Sequence, residues 1–305
     1  MHAADALDRS IGRTGSIACV GLDPRPALLP PSLRERVIAS HGAGPAGVAE
    51  AFRIANEAII DAVAGRCAAV KPQTACYEAY GSAGWAALEA TVAHAVDAGI
   101  PVVLDAKRGD IGSTATHYGQ MAFGGAPGLT DDAGDVAPGM GATWLTANPY
   151  LGADGIAPMV EGTTAGIFAI TKTSNPSSGE LQDTASDDGT VADTVADLVA
   201  KWGADRIGEC GLSDIGAVVG ATYPDHARAM RERMPDAFFL VPGYGAQGGS
   251  GADAVVGMRD DGRGVLVSSS RGITGAWQAT GTDDWAGAAR DALDAMNRDL
   301  EAARR

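Results

Sequence analysis

Short runs of apolar and β-branched residues alternate along this chain with longer segments in which apolar and polar residues follow a helical period. Uninterrupted apolar runs of strand length are typical of parallel strands that are buried on both faces. The longer segments predict amphipathic helices, among them residues 47–63, 86–99 and 285–303. We predict eight strands, at residues 17–23, 68–73, 101–108, 142–149, 166–174, 215–222, 238–245 and 264–272.

The order of these elements predicts the fold class. Eight strands that alternate with helices indicate an α/β protein, a single (β/α)8 TIM barrel that spans residues 1–305. A doubly wound sheet is the alternative, although it usually has about six strands. Two stretches rich in glycine, proline, aspartate and serine interrupt the alternation. These stretches are residues 124–139 and 176–190, and we predict loop insertions there, with bounds of about 124–141 and 178–212.

Composition restricts the class of ligand and the cellular location. Acidic residues outnumber basic residues by 38 to 23, which gives a formal net charge of −15. Such a protein has no general attraction for nucleic acid or an anionic membrane, so an anionic ligand needs a local site. The four cysteines form no C-x-x-C pair, the N-terminus lacks the apolar stretch of a signal peptide, and no apolar run could span a bilayer. We therefore expect a cytoplasmic protein with free thiols.

Charged residues stand where a barrel carries its active site, at the carboxyl ends of the predicted strands. The chain has only four lysines, and three of them, Lys71, Lys107 and Lys172, lie at strand ends. Asp105 and Lys107 are two positions apart, so their side chains point to the same side of the strand, and Asp110 follows at the start of the next helix. Because ionised groups are rarely buried unless they are paired, we predict a charge pair inside the barrel. A structural salt bridge with a separate N-cap aspartate is the alternative.

A second group of residues follows the last two strands. Residues 242–249 read PGYGAQGG, and residues 268–272 read SSSRG. Barrels often bind phosphate between these two loops, where glycines expose backbone N–H groups and an arginine, here Arg271, provides charge. The glycines of the first loop also fit the G-x-G-x-x-G dinucleotide motif, or a tight turn without a ligand. No P-loop, zinc-protease or nucleophile-elbow motif is present, the five histidines lack ligand spacing, and we predict no metal site.

Taken together, these motifs resemble the orotidine 5′-phosphate decarboxylase family. The similarity lies in the D-x-K-x-x-D motif of residues 105–110, in Lys71, in PGYGAQGG before a terminal SRG, and in the opening GLDPRP. The segment TKTSNPSSGELQ and the two insertions resemble the long bacterial subgroup. The resemblance implies a homodimer that converts orotidine 5′-monophosphate to uridine 5′-monophosphate and carbon dioxide in de novo pyrimidine biosynthesis. It also implies that no metal or organic cofactor is needed.

The resemblance further implies a role for each matching residue. Lys107 would protonate the carbanion at C6 of the pyrimidine, within a Lys-Asp-Lys-Asp network to which the neighbouring subunit contributes Asp110. Tyr244 departs from the small residue expected in its loop, and its role stays open. The catalytic residues would be Lys71, Asp105, Lys107 and Asp110, and the substrate-binding residues Asp23 and Thr114 (ribose hydroxyls), Ser174 (pyrimidine), and Gln247 and Arg271 (phosphate).

Three other functions are compatible with parts of the same pattern. A 3-hexulose-6-phosphate synthase shares the D-x-K-x-x-D motif but uses magnesium. A Schiff-base aldolase would use Lys107 as its nucleophile, and a non-catalytic barrel would only bind a phosphosugar. Lys71, and the lack of an extra acidic ligand at that strand end, favour decarboxylation.

Overall fold

The strands of the protein lie where the hydrophobic runs predict them. The computed structural model describes residues 1–129, 136–245 and 248–305. Each of the eight predicted strands overlaps an observed one and is confirmed, and two short strands are added. In chain order the strands are β1 (Ala18–Leu22), β2 (Ala69–Pro72), β3 (Val103–Arg108), β4 (Trp144–Ala147), β5 (Gly166–Lys172), β6 (Ala185–Ser186), β7 (Gly189–Thr190), β8 (Ser213–Val219), β9 (Ala237–Val241) and β10 (Val265–Ser269).

The eight longer strands form a barrel. They pair in parallel in the order β2, β1, β10, β9, β8, β5, β4 and β3. Parallel bridges from Val70 to Val102 and from Gln73 to Asp105 join the two ends of that order. The short strands β6 and β7 form a separate antiparallel hairpin. The fold is therefore the (β/α)8 TIM barrel that the sequence predicts.

Helices surround the barrel and bury their apolar faces against it. The helices are α1 (Ala3–Thr14), α2 (Pro31–His41), α3 (Pro45–Val63), α4 (Thr74–Glu78), α5 (Gly81–Asp97), α6 (Gly112–Phe123), α7 (Ala153–Val160), α8 (Gly179–Gln182), α9 (Val191–Gly203), α10 (Pro224–Arg233), α11 (Gly251–Ala254), α12 (Arg271–Thr274), α13 (Ala276–Thr280) and α14 (Trp285–Ala303). The three helices named from the sequence correspond to α3, α5 and α14 and are confirmed. Helix α3 packs against both of the others and buries Phe52, Ile59 and Ile60.

The interior of the barrel is a packed apolar core. Trp144 stacks on Phe168 with ring centroids 4.3 Å apart, and Phe238 meets the Trp144 ring edge-on. Helix α1 covers the amino-terminal end of the barrel, where Ala4 and Leu7 are fully buried in the same cluster. Such filled layers are typical of TIM barrels, which leaves the carboxyl end for ligands.

The polar site begins directly above this core because strand side chains alternate. Ala69 and Val103 belong to the apolar interior. Two residues further along the same strands, Lys71 and Asp105 line a pocket at the carboxyl end.

The two predicted insertions contain different kinds of structure. Residues 130–135 lie outside the described part of the chain, and an antiparallel bridge joins Ala126 to Ala137 on either side of them. Residues 178–212 include α8, the β6–β7 hairpin and α9, which packs on β5 and β8. No helix within the described residues is long and apolar enough to cross a membrane.

Candidate active site

A cavity of about 520 Å³ opens at the carboxyl ends of the barrel strands. It brings together predicted site residues that lie far apart in the sequence, which is the arrangement expected of a barrel enzyme. Its polar lining includes Asp23, Arg25, Lys71, Gln73, Asp105, Lys107, Thr146, Ser174 and Arg271.

Two lysines bind opposite oxygens of one buried carboxylate. Lys71 Nζ lies 2.6 Å from Asp105 Oδ2, and Lys107 Nζ lies 2.6 Å from Asp105 Oδ1. The side chains of Lys71 and Asp105 are buried, whereas that of Lys107 is 49% exposed. The three residues therefore form one network whose outer ammonium faces the open pocket.

Burial and charge act in opposite directions on this network. Burial opposes ionisation of Asp105, but attraction to Lys71 and Lys107 and their hydrogen bonds outweigh it and hold the pKa of the carboxyl far below its usual value. Burial likewise disfavours the ammonium of Lys71, but attraction to Asp105 and Asp23 outweighs it and raises the pKa of that group. Asp105 and Lys71 therefore both stay ionised at neutral pH.

Two residues of the network were missed by the sequence analysis. Gln73 Nε2 donates to Asp105 Oδ2 at 3.1 Å, and Thr146 Oγ1 donates to Asp105 Oδ1 at 2.9 Å. Thr146 Oγ1 also accepts from the backbone N–H of Lys107 at 2.9 Å. A signal existed for both, because Gln73 follows Lys71 at the strand period and Thr146 points inward at the end of β4. Together they fix both oxygens of Asp105 and the backbone of Lys107.

The backbone at Lys107 is strained. Its φ angle is 48°, and it is the only non-glycine residue in the described part of the chain with a positive φ. The left-handed region is unfavourable for residues with a Cβ, and such outliers concentrate at functional sites. The backbone of Lys107 therefore departs from the extended conformation of the strand residues that precede it.

Asp23 adds an unsatisfied acceptor to the same pocket. Its Oδ1 lies 4.0 Å from Lys71 Nζ. That oxygen is buried, and no hydrogen-bond partner for it is found among the described residues. Buried acceptors are almost always paired, so this atom is suited to a donor that a ligand would bring.

Asp110 and Thr114 do not join the network within one chain. Asp110 Oδ1 accepts from the backbone N–H of Ile111 at 2.8 Å, and Thr114 is exposed on α6. The N-cap residue of α6 is Ile111, so the N-cap alternative for Asp110 is wrong. The structure thus separates these two residues from the other predicted site residues of the same chain.

The loops after β9 and β10 form the far wall of the pocket. Gly243, Gly245 and Gly248 have φ angles of 103°, 67° and 95°, in the left-handed region that glycine tolerates best. Arg271, the first residue of α12, lines the pocket from the other loop. Gln247, predicted to bind phosphate, lies outside the described residues.

Tyr244, whose role the sequence left open, also lines the pocket. Its hydroxyl donates to Asp299 Oδ2 of α14 at 2.9 Å. Burial and the hydrogen bond to Asp299 raise the pKa of Tyr244 to about 12, so its phenol stays protonated. Tyr244 therefore ties the glycine-rich loop to the last helix.

The described residues contain no group of three or more histidine, cysteine, aspartate and glutamate side chains that could hold a metal ion. Fold and site together define a class of protein: a TIM barrel whose pocket holds paired lysines and a buried aspartate beside loops suited to an anion.

Comparison with known proteins identifies the family within this class. The model of the orotidine 5′-phosphate decarboxylase / HUMPS family matches residues 18–281. An orotidine 5′-phosphate decarboxylase of Rhodopirellula baltica is 43% identical over 310 residues, with 99% of each chain covered. A protein of the same name from Haloarcula marismortui is 40% identical over 93% of this chain and 91% of its own. The solved structure of Leishmania donovani OMP decarboxylase has a TM-score of 0.74 at 33% identity and covers 100% of this chain and 99% of its own. The chain therefore belongs to the orotidine 5′-phosphate decarboxylase family, and it is an enzyme of the carboxy-lyase class.

Proposed function

We propose that this protein converts orotidine 5′-monophosphate to uridine 5′-monophosphate and carbon dioxide, a step of de novo pyrimidine biosynthesis. The observation that carries the proposal is the buried Asp105 held between Lys71 and Lys107 in one pocket. Relatives that match nearly the whole chain are named for this reaction, which supports it over the magnesium-dependent synthase.

In the proposed reaction the bond between C6 of the pyrimidine and the carboxylate carbon breaks. The electron pair of that bond stays on C6, carbon dioxide leaves, and Lys107 Nζ donates a proton to C6. The neutral lysine then regains a proton from water. A fixed cation where negative charge develops lowers the barrier, and the same group supplies the proton.

The neighbours of Lys107 have separate tasks in this mechanism. Asp105 would face the substrate carboxylate, and their repulsion would be relieved as carbon dioxide leaves. Lys71 keeps Asp105 ionised, and Asp105 together with Asp110 would orient the ammonium of Lys107. The hydrogen bonds from Gln73 and Thr146 to Asp105 support this arrangement because they hold both of its oxygens.

The rest of the substrate would lie along the pocket wall. Asp23 and Thr114 would accept from ribose hydroxyls, and the unpartnered Oδ1 of Asp23 supports its part of that role. Ser174 would contact the pyrimidine, and Arg271 with Gln247 would bind the phosphate. Binding energy from the remote phosphate can organise the site for the reaction at C6.

We also propose that the enzyme is a homodimer in which Asp110 and Thr114 complete the partner's site. Both lie outside the network of their own chain. Ile111 follows Asp110 directly and is 53% exposed, and Tyr150 and Leu151 are 79% and 47% exposed. Asp110 and Leu151 both lie against Gly155, and a group of neighbouring exposed apolar side chains is typical of a contact surface.

Mixing two inactive variants tests the shared site. Lys107→Ala and Asp110→Ala subunits, each inactive alone, are expected to recover activity when unfolded and refolded together, because a mixed dimer contains one site with both residues intact. Steady-state turnover of the mixture gives the answer. Lys107→Ala protein refolded without the other variant is the control. If verified mixed dimers recover no activity, Asp110 acts in the active site of its own subunit and not in that of its partner.

The reaction itself is tested by the decrease in ultraviolet absorbance of orotidine 5′-monophosphate with purified, EDTA-treated protein. We expect rapid conversion to uridine 5′-monophosphate without added metal. Folded protein that converts nothing would contradict the proposal. Turnover of a hexulose phosphate that depends on added magnesium would instead favour the synthase.

Two broader proposals accompany this function. We propose that the chain is one barrel domain with insertions at about 124–141 and 178–212, the second of which also includes α9, the helix that connects β5 to β8 in the barrel. We also propose that it acts in the cytoplasm, which is consistent with four cysteines that are all free thiols.

A further inference from the structure

Lys172 is a buried lysine that the proposed mechanism does not use. It ends β5, its side chain is only 1% exposed, and its Nζ lies 2.5 Å from Asp183 Oδ1. The same ammonium lies 5.0 Å from the centroid of the Tyr223 ring. Burying an ammonium is costly unless it is paired, so the position needs a specific partner. That partner comes from a segment beyond the strand.

The segment that carries Asp183 is the strap, residues 176–183, which consists of a short 3-10 turn and α8. A second contact binds the strap to the end of β5. Gln182 Oε1 accepts from the backbone N–H of Thr173 at 2.9 Å, and Gln182 Nε2 donates to Thr173 Oγ1 at 2.8 Å. Thr173 Oγ1 in turn donates to Asn175 Oδ1 at 2.6 Å. Two adjacent residues of the strap thus fix two adjacent residues of the strand end.

The residues fixed in this way face the substrate pocket. Thr173, Ser174 and Asn175 line it directly. Ser174 is also packed against two glycines, because a Cβ added to Gly220 or Gly243 would lie 2.9 Å or 3.4 Å from Ser174 Cβ. The backbone of Gly220 and Gly243 therefore packs closely against one side of Ser174. The strap binds the preceding residue, Thr173.

We propose that Lys172 and Asp183 are positioning residues that hold Thr173–Asn175 against the pyrimidine end of the bound nucleotide. The inference rests on the proposed function, because it takes Ser174 as a contact to the base. The ion pair orders the pocket wall before substrate arrives, and reacting groups must be held closely for a fast reaction. The phosphate end of the pocket, at Arg271, is formed by another loop and does not depend on the pair.

The test compares Asp183→Asn and Lys172→Met with the control Asp187→Asn, an exposed carboxylate of the same insertion. Asp183→Asn leaves the buried Lys172 ammonium with an uncharged acceptor and should lower stability, whereas Lys172→Met removes that ammonium and is the variant expected to keep its fold. We expect Asp183→Asn to lower kcat/KM by about tenfold to a hundredfold, the range that a small misplacement can cause. Asp183→Glu should recover part of the loss. The double variant, with both Asp183→Asn and Lys172→Met, should have a kcat/KM no lower than that of Lys172→Met alone.

Ligand affinity distinguishes positioning from a general structural role. Asp183→Asn should lower the affinity for uridine 5′-monophosphate about tenfold and leave the affinity for ribose 5-phosphate unchanged, because only the first ligand has a base. Arg271→Ala should lower the affinity for both ligands. The inference is overturned if Asp183→Asn binds uridine 5′-monophosphate normally, or if it weakens both ligands equally. Wild-type protein that does not decarboxylate its substrate would refute the proposed function instead, and the affinity comparison would still report on the pair.

Discussion

Replacement of Lys107 by alanine is expected to reduce turnover by about 10⁴-fold or more, because in the proposed mechanism one change removes both the proton donor and the cation beside C6. Binding of uridine 5′-monophosphate should persist, since the other groups that line the pocket stay in place. The rate is measured by single-turnover decarboxylation and the affinity by calorimetry. Lys201→Ala, at an exposed lysine of α9, is the matched control and should retain full activity. Near-normal turnover of Lys107→Ala would remove the lysine from the mechanism.

The strained backbone provides a second control for the same prediction. With φ at 48°, alanine at position 107 carries a left-handed cost of about 1–2 kcal/mol that glycine avoids. Lys107→Gly should therefore be as inactive as Lys107→Ala but have a free energy of unfolding about 1 kcal/mol higher. If the glycine variant regained activity, backbone geometry rather than the ammonium would explain the loss.

Replacement of Lys71 by methionine is expected to give the largest loss of stability. The change keeps a similar volume but leaves the buried Asp105 with only one lysine, and breaking a buried pair costs about 3–5 kcal/mol. Because Lys107 still binds the other oxygen, we expect a value near the lower end, together with a large loss of turnover. Urea unfolding followed by circular dichroism measures the free energy of unfolding.

A double variant separates the unpaired charge from the change of shape. Adding Asp105→Asn to Lys71→Met removes the uncompensated carboxylate and should recover much of the lost stability, although not the activity. Equal instability of the single and double variants would contradict the electrostatic explanation.

The pH dependence of stability follows from the same pair. The pKa of Asp105 is lowered in the folded protein, so its stabilising contribution is present above about pH 4 and is lost as the pH falls below the value for an unfolded aspartate. In Lys71→Met the folded pKa of Asp105 should rise, and this part of the pH dependence should shrink. An unchanged acid transition would show that Lys71 does not control the ionisation of Asp105.

The sequence predicted the barrel and much of its site for a simple physical reason. Strands buried on both faces are uninterrupted apolar runs, and a charged residue at the end of such a run is visible without a structure. Lys71, Asp105 and Lys107 were therefore found, and Lys107 does contact Asp105 as the strand period predicts. The left-handed backbone at Lys107, which also helps to set the position of its side chain, was not predicted.

The remaining contacts depend on the path of the chain in space. Thr146 and Gln73 bind Asp105 across 41 and 32 residues, and no local period encodes such pairs. Lys172 was noticed as a strand-end lysine, but its partner Asp183 lies in a polar stretch that the sequence marks only as a loop. Helix α1 was also missed, because it precedes the first strand, where the alternation of strands with following helices predicts no element.

The filled interior of the barrel restricts the route by which substrate can enter and products can leave. Trp144 and Phe168 fill the middle of the barrel, and α1 covers its amino-terminal end. Among the described residues, the opening at the carboxyl ends of the strands, the mouth of the barrel, is therefore the route into the cavity. In the proposed reaction the gas and the nucleotide would both leave by that mouth. The gas is small and uncharged, whereas in the proposed binding mode Arg271 would hold the nucleotide, so carbon dioxide would leave first. Slow departure of the nucleotide could then limit the overall rate even when the chemistry is fast.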